Sequence, residues 1–166
     1  MKVGMIGLGR MGEGMSRRLI KHGHEVWGYR NNYEKACQQY EAGYISGCTT
    51  SIQSLVQIVH RPGVYMMVVP AETVEETLNE LLRHCSEGDI IVNYGNSNIE
   101  DCWKREERSA KFGVAYIDCD VDRNICDVDS GYNLMVRGGD TAIATCKNIF
   151  HDLGTWKFTT KHSSVI

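Results

Sequence analysis

Near the N-terminus the chain reads Gly7-Leu8-Gly9-Arg10-Met11-Gly12, three glycines at the spacing G-x-G-x-x-G. Gly7 permits a tight turn, Gly9 lets bare backbone approach a ligand, and Gly12 allows a following helix to pack closely on the preceding strand. With a helix N-terminus supplying unpaired N–H donors, such a turn suits phosphoryl oxygens. The spacing alone is weak, because ordinary turn glycines match it by chance; it gains weight only between a strand and a helix. A second chemical signal is Arg30, followed by Asn31 and Asn32. At the end of the second strand of a dinucleotide-binding unit, an acid accepts from both ribose hydroxyls and repels a 2′-phosphate. A guanidinium and two amides with no carboxylate favour the phosphate. A charge-assisted hydrogen bond is worth about 1.5 to 3 kcal/mol, or roughly ten- to hundredfold in affinity. The expected cofactor is therefore NADP in preference to NAD, with a solvated surface arginine as the alternative. Arg30 also speaks against a methyltransferase or a flavoprotein, which typically want an acid at that position.

The elements needed to position these residues are present. Residues 2–6 form a short apolar stretch entering the turn, and Met11, Met15 and Leu19 recur every four residues after it, with Gly23 as a stop. Residues 25–29 read as a second strand and 33–42 as a second helix. Thr50 and Gln53 make a capping box ahead of the stripe Ile52, Leu55, Val56 and Val59. The apolar run 64–69 suits a strand covered on both faces. Glu72, Glu75 and Glu76 then crowd the first turns of another helix, where the macrodipole favours anions. Strands at 89–92 and 114–117 flank a helix at 100–111. Such alternation predicts an α/β fold, a doubly wound parallel sheet of the Rossmann type in a single domain, with one or two extra strands near the C-terminus. Residues 118–130 carry Asp118, Asp120, Asp122, Asp127 and Asp129 and little apolar surface, so they are expected to be a solvated loop. Residues 132–136 resume as a strand, Asp140 is expected to cap a last helix, and the segment from Lys157 onward shows no period.

Composition narrows the function classes. A chain of 166 residues with 42% apolar and 23% charged side chains is sized for one packed domain. Its net charge of −3 does not recruit a polyanion, so nucleic acid is not an expected partner. No apolar run is long enough to cross a bilayer and no secretory segment precedes the glycine turn, which places the chain in the cytoplasm. The seven cysteines include no C-x-x-C pair and are expected to be small buried hydrophobes in a reducing compartment, with no metal or redox framework. His22 and His24 flank Gly23 and suit a helix end more than a zinc site.

Taken together, GLGRMG at 7–12, the strand MMVVPA at 66–71, YGNSN at 94–98 and GYNLMVRGGD at 131–140 resemble the N-terminal domain of 6-phosphogluconate dehydrogenase, from Met1 to about Trp156. Close relatives, the β-hydroxyacid dehydrogenases, share the first motif; the GNS turn and the later strand favour the phosphogluconate branch. The resemblance implies an NADP-binding domain at 1–156 and a tail at 157–166. It also implies oxidative decarboxylation, in which NADP takes a hydride from a secondary alcohol of a sugar-acid phosphate and the keto acid loses carbon dioxide. By the same resemblance Gly7, Leu8, Gly9, Arg10, Met11 and Gly12 meet the pyrophosphate. Arg30 and Asn31 meet the adenosine phosphate, Val69, Pro70 and Ala71 lie beside the cofactor, and Asn96 reaches cofactor and substrate near the nicotinamide.

The departures from that pattern concern the substrate. Asp122, Arg123 and Asn124 stand where the family carries a Ser-Gly-Gly turn for the substrate carboxylate. A serine donates a hydrogen bond, whereas an ionised aspartate only accepts one and repels a carboxylate. The family's general base is a lysine in a G-x-G-x-x-x-K-x-x-x-N segment of a helical domain beyond this one. Lys157 and Lys161 lack that setting and are expected to be solvated, and no catalytic residue is assigned. The expectation is a domain that binds NADP without turning over substrate alone. The alternative is a non-catalytic interaction module, or half of an enzyme completed by a separate helical chain; the expected partners are a second copy in a homo-oligomer or such a helical chain.

Overall fold

The computed structural model describes residues 1–159. Its strands are β1 (Lys2–Ile6), β2 (Glu25–Tyr29), β3 (Gly47–Thr49), β4 (Val64–Met67), β5 (Ile90–Asn93), β6 (Ala115–Asp127), β7 (Gly131–Arg137) and β8 (Gly154–Thr159). The helices are α1 (Arg10–Lys21), α2 (Tyr33–Glu41), α3 (Ile52–Ile58), α4 (Val74–His84), α5 (Ile99–Ala110) and α6 (Asp140–Leu153), with a short 3-10 turn at Ala71–Thr73 before α4. Among the described residues the strands form one sheet in the order β3-β2-β1-β4-β5-β6-β7-β8. The first six are parallel, β7 runs antiparallel to β6, and β8 parallel to β7. This is the doubly wound Rossmann order, and the chain reverses its direction of sheet growth between β1 and β4. That reversal opens a crevice beyond the carboxyl ends of the strands.

Helices cover both faces. On one, Met15 and Leu19 of α1 and Cys146, Ile149 and Phe150 of α6 pack on Val3, Met5, Met66, Val92 and Ile117. On the other, Leu55 of α3 and Leu78 and Leu81 of α4 pack on Tyr65, Met67 and Ile91. Strand β4 shows why its apolar run is unbroken: Val64 and Met66 face one core, Tyr65 and Met67 the other. No helix among the described residues is long and apolar enough to cross a membrane.

Several local expectations are corrected. The aspartate-rich segment is strand rather than loop, because its main chain pairs with β7 from Asp118↔Arg137 to Val121↔Leu134 and again at Cys126↔Tyr132 and Asp127↔Gly131. Between those stretches residues 122–125 stand opposite Asn133 alone, an extended irregularity in the ladder. Ile117, Cys119 and Val121 fill one core while the aspartates alternate with them. Residues 157–159 belong to β8 rather than to a periodless tail. Strand β3 has no apolar run to announce it. Ser51, not Thr50, caps α3 by accepting from the Ser54 amide at 3.0 Å. Gly139 occupies the N-cap of α6, and Asp140 lies in its first turn, where its charge still complements the dipole. The thiols divide: Cys102, Cys119 and Cys146 are buried, Cys37, Cys48 and Cys85 only half-buried.

Candidate functional site

The crevice at the strand-order reversal has a volume of about 980 Å³, and Gly7, Leu8, Gly9, Arg30, Asn31, Val69 and Pro70 all line it. The three glycines play different parts. Gly7 has φ +91°, and a Cβ there would collide with the Val68 carbonyl; a Cβ on Gly12 would collide with the Gly7 carbonyl. These two are required by the protein's own packing. Gly9 is not: a Cβ on it would meet no atom within 4 Å, so the bare backbone there faces open crevice. Gly9 is also the N-cap of α1, without a side-chain cap. The first-turn amides of Arg10, Met11 and Gly12 therefore have no intrahelical acceptor, and Gly9 at the head of that turn lines the crevice. A diphosphate fits this cradle.

Arg30 lies back against the glycine turn. Its Nη1 donates to the Leu8 carbonyl at 3.1 Å and to Gln39 Oε1 at 3.3 Å. Gln39, on α2 and only 8% exposed, donates from Nε2 to the Leu8 carbonyl at 3.0 Å and to Glu13 Oε2 at 2.7 Å. One amide thus ties together α2, the glycine turn, the first turn of α1 and the guanidinium. The sequence reading missed Gln39; the available signal was a polar side chain three residues after Ala36 on the inward stripe of α2. Asn31 Oδ1 accepts from the Tyr29 hydroxyl at 3.1 Å. Asn32 does other work, capping α2 by accepting from the Lys35 amide at 3.0 Å. Across the crevice, Ala71 begins the 3-10 turn after Val69 and Pro70, and Glu80 and Arg83 of α4 line the far wall as a 2.8 Å ion pair. Arg83 is a second guanidinium on the crevice that sequence spacing did not suggest.

Asn96 opens on a separate hollow of about 580 Å³, lined also by Ser97, Asp120, Asp122, Asn133, Met135 and Lys157. Its loop is held from behind. Asn93 Nδ2 donates to Asp118 Oδ1 at 3.1 Å and to Ser97 Oγ at 3.2 Å. Arg105 donates to Ser97 Oγ and, at 2.6 Å, to Glu75 Oε1. Burial pushes the Asp118 carboxyl above the usual carboxylate range, against hydrogen bonds from Cys102, Asn93 and Arg137. Arg137 bridges Asp118, at 3.1 Å, and Asp120. Asp122 is exposed and accepts from the Asn124 amide at 3.0 Å. The Arg123 side chain and Lys161 lie outside the described residues. Lys157, expected to be merely solvated, is exposed yet joins this hollow. Asn96 and Asp122 are thus brought together, whereas Asn124 is exposed within the irregular stretch of β6. Among the described residues no group of three or more metal-ligating side chains gathers.

Comparison with known proteins agrees with this geometry. The sequence is 30% identical over 159 residues to the NAD(+)-dependent, decarboxylating 6-phosphogluconate dehydrogenase of Haloferax volcanii, covering 93% of this chain and 50% of the relative. It is 33% identical over 155 residues to the decarboxylating 6-phosphogluconate dehydrogenase of Candida albicans, covering 91% of this chain and 30% of the relative. The chain thus spans half or less of these relatives' length. The fold superposes on Plasmodium falciparum 6-phosphogluconate dehydrogenase with a TM-score of 0.84 at 20% identity, covering 95% of this chain and 36% of that one. On 3-hydroxyisobutyrate dehydrogenase of Mycobacterium tuberculosis it scores 0.82 at 17% identity, covering 96% and 54%. The family described as the NAD binding domain of 6-phosphogluconate dehydrogenase matches residues 2–162. With that match over nearly the whole sequence, and a glycine cradle at the switch point of a Rossmann sheet, this chain belongs to the NAD(P)-binding domain family of 6-phosphogluconate dehydrogenase.

Proposed function

We propose that this domain binds NADP in preference to NAD and serves as the coenzyme-binding part of a 6-phosphogluconate dehydrogenase-like, decarboxylating oxidoreductase. The observation that carries the coenzyme choice is Arg30, held on the glycine turn by the Leu8 carbonyl and Gln39, at the strand end where an NAD site wants an acid. Gly7, Leu8, Gly9, Arg10, Met11 and Gly12 would hold the pyrophosphate, Arg30 and Asn31 the adenosine phosphate, and Val69, Pro70 and Ala71 the adjoining wall. The bound coenzyme supplies a nicotinamide that accepts hydride. Asn96 would reach toward substrate and nicotinamide from its braced loop. The Haloferax relative is NAD(+)-dependent by name, whereas the Plasmodium enzyme has been solved with NADP+, so the choice is testable within the family.

By itself the domain is expected to bind coenzyme without oxidising phosphogluconate. Asp120 and Asp122 at the second hollow repel a substrate carboxylate, and the lysine base that the family resemblance implies belongs to a helical segment. Met135, 37% exposed beside Lys157 on the face of β7 that borders the hollow, is an apolar contact that suits such a covering helix, from the same or a separate chain. A second reading, a non-catalytic NADP-binding module, is favoured by the same two carboxylates. The decisive titration compares NADP and NAD by thermal shift and calorimetry. NADP should bind at least about tenfold more tightly, and Arg30→Asp should invert the order; unchanged NADP affinity in that variant overturns the assignment. Adding 6-phosphogluconate separates the two readings: a further shift indicates a surviving substrate pocket, and coenzyme alone indicates a module.

A further inference from the structure

Cys37 on α2 and Cys48 on β3 lie eleven positions apart, and their sulfurs are in contact at 3.6 Å. Both are half-buried rather than sealed in the core. Nothing in the coenzyme site uses them. They nevertheless flank its adenosine end. Cys48 pairs with Gly28 on β2, two residues before Arg30, and Cys37 precedes Gln39 by two residues on α2.

We propose that Cys37 and Cys48 form a dithiol modification site, which a hydroperoxide closes to an intramolecular disulfide that ties α2 to β3. One sulfur attacks a peroxide oxygen and breaks the O–O bond, giving a sulfenic acid and water, or an alcohol from an alkyl hydroperoxide. The second sulfur then attacks the sulfenic sulfur, the S–S bond forms, and a further water leaves. Two thiols lose two electrons and two protons, and the peroxide is reduced. The sulfurs must approach to about 2.0 Å, a displacement on the scale of side-chain rotation between elements that already pack together. The bond therefore locks the existing geometry. It closes a short loop in the unfolded chain, and the expected gain is a rise of roughly 5 °C in Tm.

The test treats the full chain with hydrogen peroxide, alkylates the remaining thiols, and digests with a glutamate-specific protease. Cleavage after Glu41 separates the two cysteines unless a disulfide joins them. The expected result is a Cys37–Cys48 linked peptide that dithiothreitol releases, a monomer on a non-reducing gel, and titratable thiols reduced by two from the seven in the chain. Cys37→Ser and Cys48→Ser should each abolish the linked peptide and the Tm rise, while Cys85→Ser keeps both. Recovery of Cys37 and Cys48 as separate alkylated or sulfonic peptides, or a linkage between chains, overturns the proposal. If a serine variant fails to fold, the wild-type peptide map still decides. The outcome is independent of which coenzyme binds, since no nucleotide is present in the assay.

Discussion

The crevice at the glycine turn and the hollow beside Asn96 are made of different material. The glycine-turn end of the crevice is chiefly backbone: two glycines demanded by packing, one left bare toward open space, and a helix N-terminus, all within the first βαβ unit. Arg30, at the end of β2, is fixed there by a buried amide and a main-chain carbonyl. The hollow is chiefly side chain, drawn from the loop after β5 and from β6, β7 and β8. Of its two carboxylates, Asp120 is already paired with Arg137, whereas Asp122 accepts only from the Asn124 amide. A backbone cradle keeps its function so long as the turn folds, whereas a side-chain pocket is rewritten by single substitutions. The first region is therefore legible from its backbone as suited to a phosphate, whereas the character of the second rests on individual side chains.

The sharpest way to break this contrast is at the glycines. Gly7→Ala should cost about 3 kcal/mol of stability, through its positive φ and the collision with Val68. Gly9→Ala should cost less than about 1 kcal/mol yet weaken NADP by roughly a hundredfold. Denaturant melts beside coenzyme titrations check both, and equal destabilisation by the two would remove the distinction. Next in size, Gln39→Leu deprives Glu13 of its amide donor and Arg30 of an acceptor. It should cost about 2 kcal/mol and shrink the NADP-over-NAD preference by roughly tenfold, the second effect being one that a purely structural residue would not produce. On the other side of the comparison, Asp122→Ser replaces an acceptor with a donor at an exposed position. Stability should stay within about 0.5 kcal/mol and NADP affinity should not move, while calorimetric binding of 6-phosphogluconate improves by roughly tenfold.

The smallest expected effect lies away from both regions, and so calibrates them. Burial raises the Asp152 carboxyl, but the hydrogen bond and charge of His24, 2.7 Å away, outweigh it and hold the group below its ordinary value. A depressed carboxylate stabilises the fold above the ordinary aspartate range, and that contribution is lost as pH falls through the lower folded value. Asp152→Asn should therefore flatten the acid limb of the stability curve by less than about 1 kcal/mol without altering coenzyme binding.

Much of the fold was legible because local pattern and global arrangement agree. The four-residue recurrence of Met11, Met15 and Leu19, the unbroken run of β4 and the acidic start of α4 each belong to one element. The aspartate-rich strand was missed because five acids drowned a period-two alternation, Ile117, Cys119 and Val121, that the core reads plainly. Its β-character depends on pairing with β7, from Asp127↔Gly131 beside the turn to Asp118↔Arg137 at the far end. Gln39 was missed for a related reason: a polar residue on a short helix has no meaning until the carbonyl, carboxylate and guanidinium it joins are known.

The glycine turn, the alternation of strand and helix, and the absence of an acid after β2 are properties of contiguous residues, so the amino-acid order determined them alone. Which face Arg30 takes, how Asn96 is separated from the crevice, and that Cys37 meets Cys48 depend on contacts between elements distant along the chain. Those contacts exist only after the sheet has assembled and its helices have buried their apolar faces, and tertiary structure alone decided them.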